Sequence, residues 1–200
     1  MCVTNANNDM ERIYADALSA AKAFGKVQTD MVYGEGPAGA QLMLIGEAPG
    51  AEETRLSRPF VGRAGKNLDA FLQVLGLQRG EIFITNAVKF RPCKMSEKGR
   101  LSNRPPARDE LAAMLPCLER EIETLRPRVV VTLGNVPLKC LMGARATIGD
   151  CHAKPAVATV LSHRFTLFPL YHPASVIYNR ALEAVYMQDI EKLRAFLATL

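Results

Sequence analysis

Four short apolar runs, at residues 41–45, 82–85, 129–133 and 165–170, are separated from one another by segments long enough for a helix, and this alternation restricts the chain more than any other feature. Helical spacing of apolar residues is found at 64–75, 107–125 and 135–142, with a last stretch from about 180 to 200. Strands joined through helices cannot form tight hairpins. They pair in parallel, and the helices cover both faces of the sheet. The sequence therefore predicts an α/β fold: three α/β/α layers around a central, mainly parallel four-stranded sheet. With 200 residues and 48% hydrophobic content there is material for one core, so the reading is a single domain over 1–200. Asn8-Asp9 caps a further helix over 10–24, and residues 1–31 read as an N-terminal helical extension.

Three of the four runs end on residues that carry chemistry. The first leads into Gly46-Glu47-Ala48-Pro49-Gly50 and then Arg58-Pro59-Phe60-Val61-Gly62-Arg63-Ala64-Gly65. The second ends at Asn86, and the last at Tyr171-His172-Pro173-Ala174-Ser175. Open α/β sheets place ligands at the carboxyl ends of their strands, so parallel pairing brings a carboxylate, an aromatic, an amide and an imidazole to one edge. Each has an ordinary alternative: Glu47 as a helix cap, Phe60 as a core aromatic, Asn86 as a turn residue. His152 and His163 stand in no motif and read as surface or satisfied core histidines.

The segments GEAPG, RPFVGRAG, TNAVK and HPAS, in this order and spanning residues 32–193, resemble the uracil-DNA glycosylases and look most like the thermophile-type branch known as family 4. The resemblance implies hydrolysis of the N-glycosidic bond of deoxyuridine in DNA, with Glu47 and His172 catalytic. Glu47 would stabilise positive charge on the sugar or orient a water, with Glu52 and Glu53 as alternatives, and His172 would hydrogen-bond uracil O2. Ala48, Gly50, Glu53, Phe60 and Asn86 would meet the substrate. Phe60 would stack on the extruded base, and Asn86 would read the N3–O4 edge that distinguishes uracil from cytosine. Arg63, Lys89, Arg91, Lys94, Ser175, Val176 and Ile177 would contact DNA, the apolar pair Val176-Ile177 as a wedge in the minor groove.

The chain departs from the branch in two places. The family-4 cluster of four irons is held by four cysteines. Here the closely spaced pair is absent, and Phe90 and Met114 stand at the other two ligand positions. No metal or organic cofactor is expected. Cys93 and Cys117, each three residues beyond a lost position, read as structural thiols. The second departure is the insertion of residues 94–102, within a stretch where Lys89, Arg91, Lys94, Lys98, Arg100, Arg104 and Arg108 face only Glu97. That run suits either a solvated loop or a phosphate-contacting one.

Five cysteines without a C-x-x-C pair, a polar N-terminus and no long apolar run predict a cytoplasmic protein with no membrane partner. A monomer that meets the nucleoid when on DNA is expected. Uracil-containing DNA is the expected partner. Two other classes fit the same residues. One is a paralogue that binds DNA or traps uracil without turnover, and the other is an unrelated α/β hydrolase using Glu47 and His172 on a small molecule.

Overall fold

The computed structural model describes residues 2–25 and 30–200, with the side chains of 2–5 and 176–178 excepted. The first helix, α1 (Cys2–Ala21), begins earlier than the predicted 10–24, because no glycine or proline interrupts that stretch, and it closes through a 3-10 turn at Lys22–Phe24. The chain then alternates as the sequence reading requires. It runs β1 (Leu42–Gly46), α2 (Ala51–Leu56), α3 (Arg63–Leu75), β2 (Phe83–Asn86), β3 (Cys93–Met95), β4 (Leu101–Asn103), α4 (Arg108–Leu125), β5 (Val129–Leu133), α5 (Asn135–Met142), α6 (Ile148–Cys151), β6 (Ala156–Val160), β7 (His163–Leu170), α7 (Pro173–Tyr178) and α8 (Glu183–Leu197).

The main sheet has the order β2-β1-β5-β7-β6. The four predicted strands pair in parallel, with Gly46 opposite Asn86 and Leu133 opposite Leu170 at their carboxyl ends. A fifth strand, β6, joins the edge antiparallel to β7. Its Ala-Val-Ala-Thr-Val sequence alternates between exposed and covered positions rather than forming a continuous apolar run, which is the pattern of a half-solvated edge. The other edge, β2, is sealed by an isolated bridge. Glu35 and Ile84 exchange both backbone hydrogen bonds at 2.9 and 2.8 Å, and Val32 N donates to Lys89 O at 2.6 Å.

Alternation along each strand divides the core between two faces. Met43, Ile45, Phe83, Val130 and Leu167 meet α1, α4 and α5 on one side. Leu44, Ile84, Val131, Phe168 and Leu170 meet α3 and α8 on the other. The N-terminal helix takes part in this packing, since its Ile13, Ala17 and Ala21 are buried in the first of these clusters. The stretch 91–106, which includes the insertion, contains the two-stranded ribbon β3–β4. Three-residue strands of mixed polar sequence carry no periodic signal to read. Among the described residues no helix is long and apolar enough to cross a membrane.

Candidate active site

A cavity of about 460 Å³ opens at the carboxyl ends of the parallel strands, with Phe60, Asn86 and His172 in its wall. It sits beside the point where the strand order turns back on itself between β1 and β5, the usual ligand crevice of such sheets. Its volume lies in the range of small-ligand pockets.

Phe60 is brought there by a strained backbone. Its φ is +53°, a left-handed conformation that costs a bulky residue of order 1–3 kcal/mol and persists only where neighbours hold it. They do. Glu53 Oε1 accepts from Val61 N and Gly62 N at 3.0 and 2.7 Å, while Oε2 accepts from Gly50 N at 3.1 Å. Arg79 donates to Phe60 O at 2.6 Å, and Gly65 has no Cβ because one would fall on that same carbonyl. Glu53 is therefore a clamp on the Phe60 loop. Both of its oxygens are engaged by backbone N–H groups, and the residue also lines the cavity, where the sequence reading set it as a substrate contact.

Asn86 ends β2 opposite Gly46. A Cβ on Gly46 would collide with Asn86 Oδ1 and the tip of the Phe60 ring, so the glycine is what lets amide and aromatic close together over the strand end. Asn86 is 3% exposed, and its carboxamide forms no hydrogen bond to another described residue. Its backbone is fixed from below. Lys89 Nζ donates to Asn86 O, Thr85 Oγ1 and Glu121 Oε2, each at 2.6 Å, and the Lys89 and Glu121 side chains are both 0% exposed. Lys89 thus cannot reach a phosphate. The charge run disguised a core ion pair, and the DNA-contact assignment for Lys89 is withdrawn. Glu121, which no motif marked, is the residue that keeps a buried ammonium paired.

His172 caps α7: its Nδ1 accepts from Ala174 N at 3.1 Å. An accepting Nδ1 carries no proton, so in the neutral ring Nε2 is the donor. Burial lowers the His172 pKa to about 4, which keeps the ring neutral near pH 7. Its ring lies 5.9 Å from that of Phe60 at 27°, and Asn67 Nδ2 anchors the next residue by donating to Pro173 O at 3.1 Å. The other histidines have structural partners, His152 with Asp189 at 2.6 Å and His163 with Pro127 O at 2.8 Å.

Glu47 stands between Gly46 and Ala48, of which Ala48 lines the cavity. Its carboxyl is half-buried, and that burial raises its pKa above the ordinary glutamate value. Gly50 and Arg63 line the mouth, Arg63 exposed. Arg91 Nε donates to Asn103 Oδ1 at 2.7 Å, and Asn103, absent from the sequence reading, also lines the mouth. Lys94 is exposed on β3, and Ser175 is half-buried at the start of α7. Val176 and Ile177, the expected wedge, have side chains outside the described residues. Of the remaining basic run, Arg104 is bound bidentately by Glu110 at 2.6 Å to each oxygen.

The positions of the family-4 cluster ligands do not fit an iron–sulfur centre. Phe90 and Met114 are both 0% exposed in the core, with the Phe24 ring 6.0 Å from that of Phe90. Burial pushes the Cys117 thiol up to about 12, away from the thiolate a metal requires. Among the described residues no group of three or more His, Cys, Asp or Glu side chains could hold a metal ion.

The α/β sheet thus gathers a ring, a carboxamide and a neutral imidazole around one cavity at its strand ends. Residues 33–197 match the family model of the uracil DNA glycosylase superfamily, and the chain belongs to that superfamily. It is 36% identical to the type-4 uracil-DNA glycosylase of Sulfurisphaera tokodaii over 198 residues, covering 96% of this chain and 86% of that protein. It is 40% identical to the type-4 enzyme of Pyrobaculum aerophilum over 169 residues, 82% of each chain. The crystal structure of SMUG2 from Pedobacter heparinus superposes with a TM-score of 0.50 at 14% identity, over 80% of this chain and 75% of that one, a likeness of fold.

Proposed function

We propose that this chain is a uracil-DNA glycosylase, which hydrolyses the N-glycosidic bond of deoxyuridine in DNA and leaves an abasic site, and that it works without an iron–sulfur cluster. The observation that carries the reading is the convergence on one cavity of Phe60, Asn86 and His172, where among the described residues neither the Asn86 amide nor the His172 Nε2 has a hydrogen-bond partner. A base inside a duplex is unreachable, so the nucleotide is first extruded. Uracil stacks on Phe60. Asn86 Oδ1 accepts from N3–H and Nδ2 donates to O4, a pair of bonds that cytosine inverts. As the C1′–N1 bond breaks, its electron pair passes to the base, and His172 Nε2–H donates to the developing charge on O2. The Glu47 carboxylate stabilises the oxocarbenium-like sugar and orients water. The water oxygen bonds to C1′, and its proton balances the departing base.

The test uses labelled oligonucleotides carrying uracil, thymine, hypoxanthine or xanthine, treated with alkali and separated from any protein–DNA adduct. Alkali-labile product from the uracil strand with repeated turnover is the expected result. A stable adduct without turnover would instead assign a trapping protein, and intact DNA would remove the glycosylase reading. Protein purified without air is expected to be colourless. About four irons per chain with absorption near 400 nm would overturn the cluster-free assignment.

A further inference from the structure

We propose that the β3–β4 ribbon is a DNA-gripping arm whose apolar face packs against a nucleotide next to the extruded uracil, an inference that rests on the glycosylase reading above. The register pairs Cys93 with Asn103, Lys94 with Ser102 and Met95 with Leu101. Side chains two residues apart share a face, so Met95 and Leu101 lie on the same side of the ribbon as Asn103, which lines the cavity mouth. Lys94 and Ser102 point to the opposite side.

The wall of the cavity thus continues outward as an apolar shelf, with Met95 66% and Leu101 38% exposed. The ribbon is a formed element. Ser96 N donates to Arg100 O at 2.9 Å, Gly99 N to Ser96 O at 2.9 Å, and Arg100 N to Ser96 Oγ at 3.1 Å, with Gly99 at φ +73° in the turn. A two-stranded ribbon holding an apolar pair in water is marginal by itself. Its surroundings specify an occupant. Lys94, Lys98 and Arg100 enter no ion pair among the described residues, and from 94 to 103 they are opposed only by Glu97. Continuity with the base cavity and excess positive charge fit a DNA strand: one base or sugar lies on Met95–Leu101, while Lys98 in the turn and Arg100, from the other face at the ribbon's tip, extend round its edge to the flanking phosphates.

The chain has no tryptophan, so Met95→Trp places a sole indole on the shelf. Its emission is expected to be quenched on saturation with an oligonucleotide bearing a non-cleavable abasic analogue, and to be unchanged by free uracil. In parallel, the double variant Met95→Ser/Leu101→Ser is expected to reduce kcat/KM on uracil-containing oligonucleotides about tenfold, within the range expected for removing one stacking partner, with inhibition by free uracil unaltered. Because no cation is removed, the salt dependence of DNA binding keeps its slope, whereas Lys98→Ala/Arg100→Ala flattens it by up to ~0.9 for each phosphate left unneutralised. An indole that does not respond to saturating DNA, or a serine variant with wild-type kcat/KM, would overturn the proposal. If the wild-type protein excised no uracil, the glycosylase reading would fall, and the fluorescence titration would still decide whether the ribbon meets DNA.

Discussion

At the floor of the cavity each recognition residue is held in place by hydrogen bonds to the surrounding chain. Phe60 is held by Glu53 and Arg79, Asn86 by the Lys89–Glu121 pair, and His172 by the first turn of α7 with Asn67 alongside. At the rim the β3–β4 ribbon is held by its own ladder and turn and by the Arg91–Asn103 and Arg104–Cys93 O bonds, and its apolar pair and cations face outward. The difference divides labour. The floor has surrendered freedom to fix one base geometry, and the rim has kept surface free for a long polymer. Changes below are expected to act on chemistry, selectivity or folding, and changes above on affinity alone.

The largest expected break in this contrast is Asn86→Asp. The carboxylate cannot donate to uracil O4, so uracil excision in single-turnover assays should fall by about 10,000-fold, the scale on which a buried hydrogen-bonding site rejects the wrong partner. Cytosine excision is expected to appear at a low level. Near-normal uracil excision would mean that the N3–O4 edge is read elsewhere.

Next comes Lys89→Met, which leaves Glu121 buried without its ammonium and should destabilise the fold by roughly 3–5 kcal/mol in urea titrations. Adding Glu121→Leu to the same chain is expected to recover most of that loss. If Lys89→Met instead preserved stability but flattened the salt dependence of DNA binding, Lys89 would belong to the rim.

His172→Ala should slow uracil release by about 2–4 kcal/mol while preserving the preference for uracil over cytosine, since the ring acts on O2 and not on the N3–O4 edge. A pH profile then separates the two catalytic groups. His172, lowered to about 4, stays neutral down to that pH, while Glu47 is raised by burial above the ordinary glutamate value. The acid limb of kcat/KM is therefore set by Glu47 and falls as its carboxylate is protonated. Residual activity in Glu47→Gln should lack that limb, and an unchanged limb would reassign it. Their effects on folding run oppositely with pH. The lowered His172 value favours the unfolded state as pH falls below the unfolded pKa near 6.5, so stability present above that pH declines towards 4. The raised Glu47 value favours the fold at low pH, and this contribution is lost as pH rises through the folded value. The smallest effect belongs to the rim: Lys98→Ala/Arg100→Ala should leave the stability measured in urea within about 0.5 kcal/mol of wild type, because both residues are exposed and neither side chain is paired among the described residues.

The parallel strands and the residues at their ends were legible in the sequence because continuous apolar runs and chemistry-bearing termini are both local signals. Strand ends marked Asn86 and His172, the family resemblance gave them and Phe60 their expected roles, and all three line the cavity. Lys89 was misread for the complementary reason. A basic residue four places after Thr85 looks solvated until α4, more than thirty residues on, supplies Glu121. Glu53 was likewise unreadable, since its duty exists only once the loop at 60–62 folds back onto it. The edge strand β6 and the β3–β4 ribbon escaped notice because short, partly solvated strands dilute the apolar pattern.

The bridge between Glu35 and Ile84 has a dynamic consequence. Asn86 stands on β2, an outer strand of the sheet, and outer strands fray in local opening events that deuterium uptake detects. By bonding Ile84 on its free side, the 31–36 segment gives this margin the protection of an interior strand. The Ile84 amide should therefore exchange as slowly as those of β5. Fidelity in choosing a base would then depend on a stretch of chain that never touches one: loosening the bridge would let the carboxamide wander, and discrimination would decay before the protein unfolds.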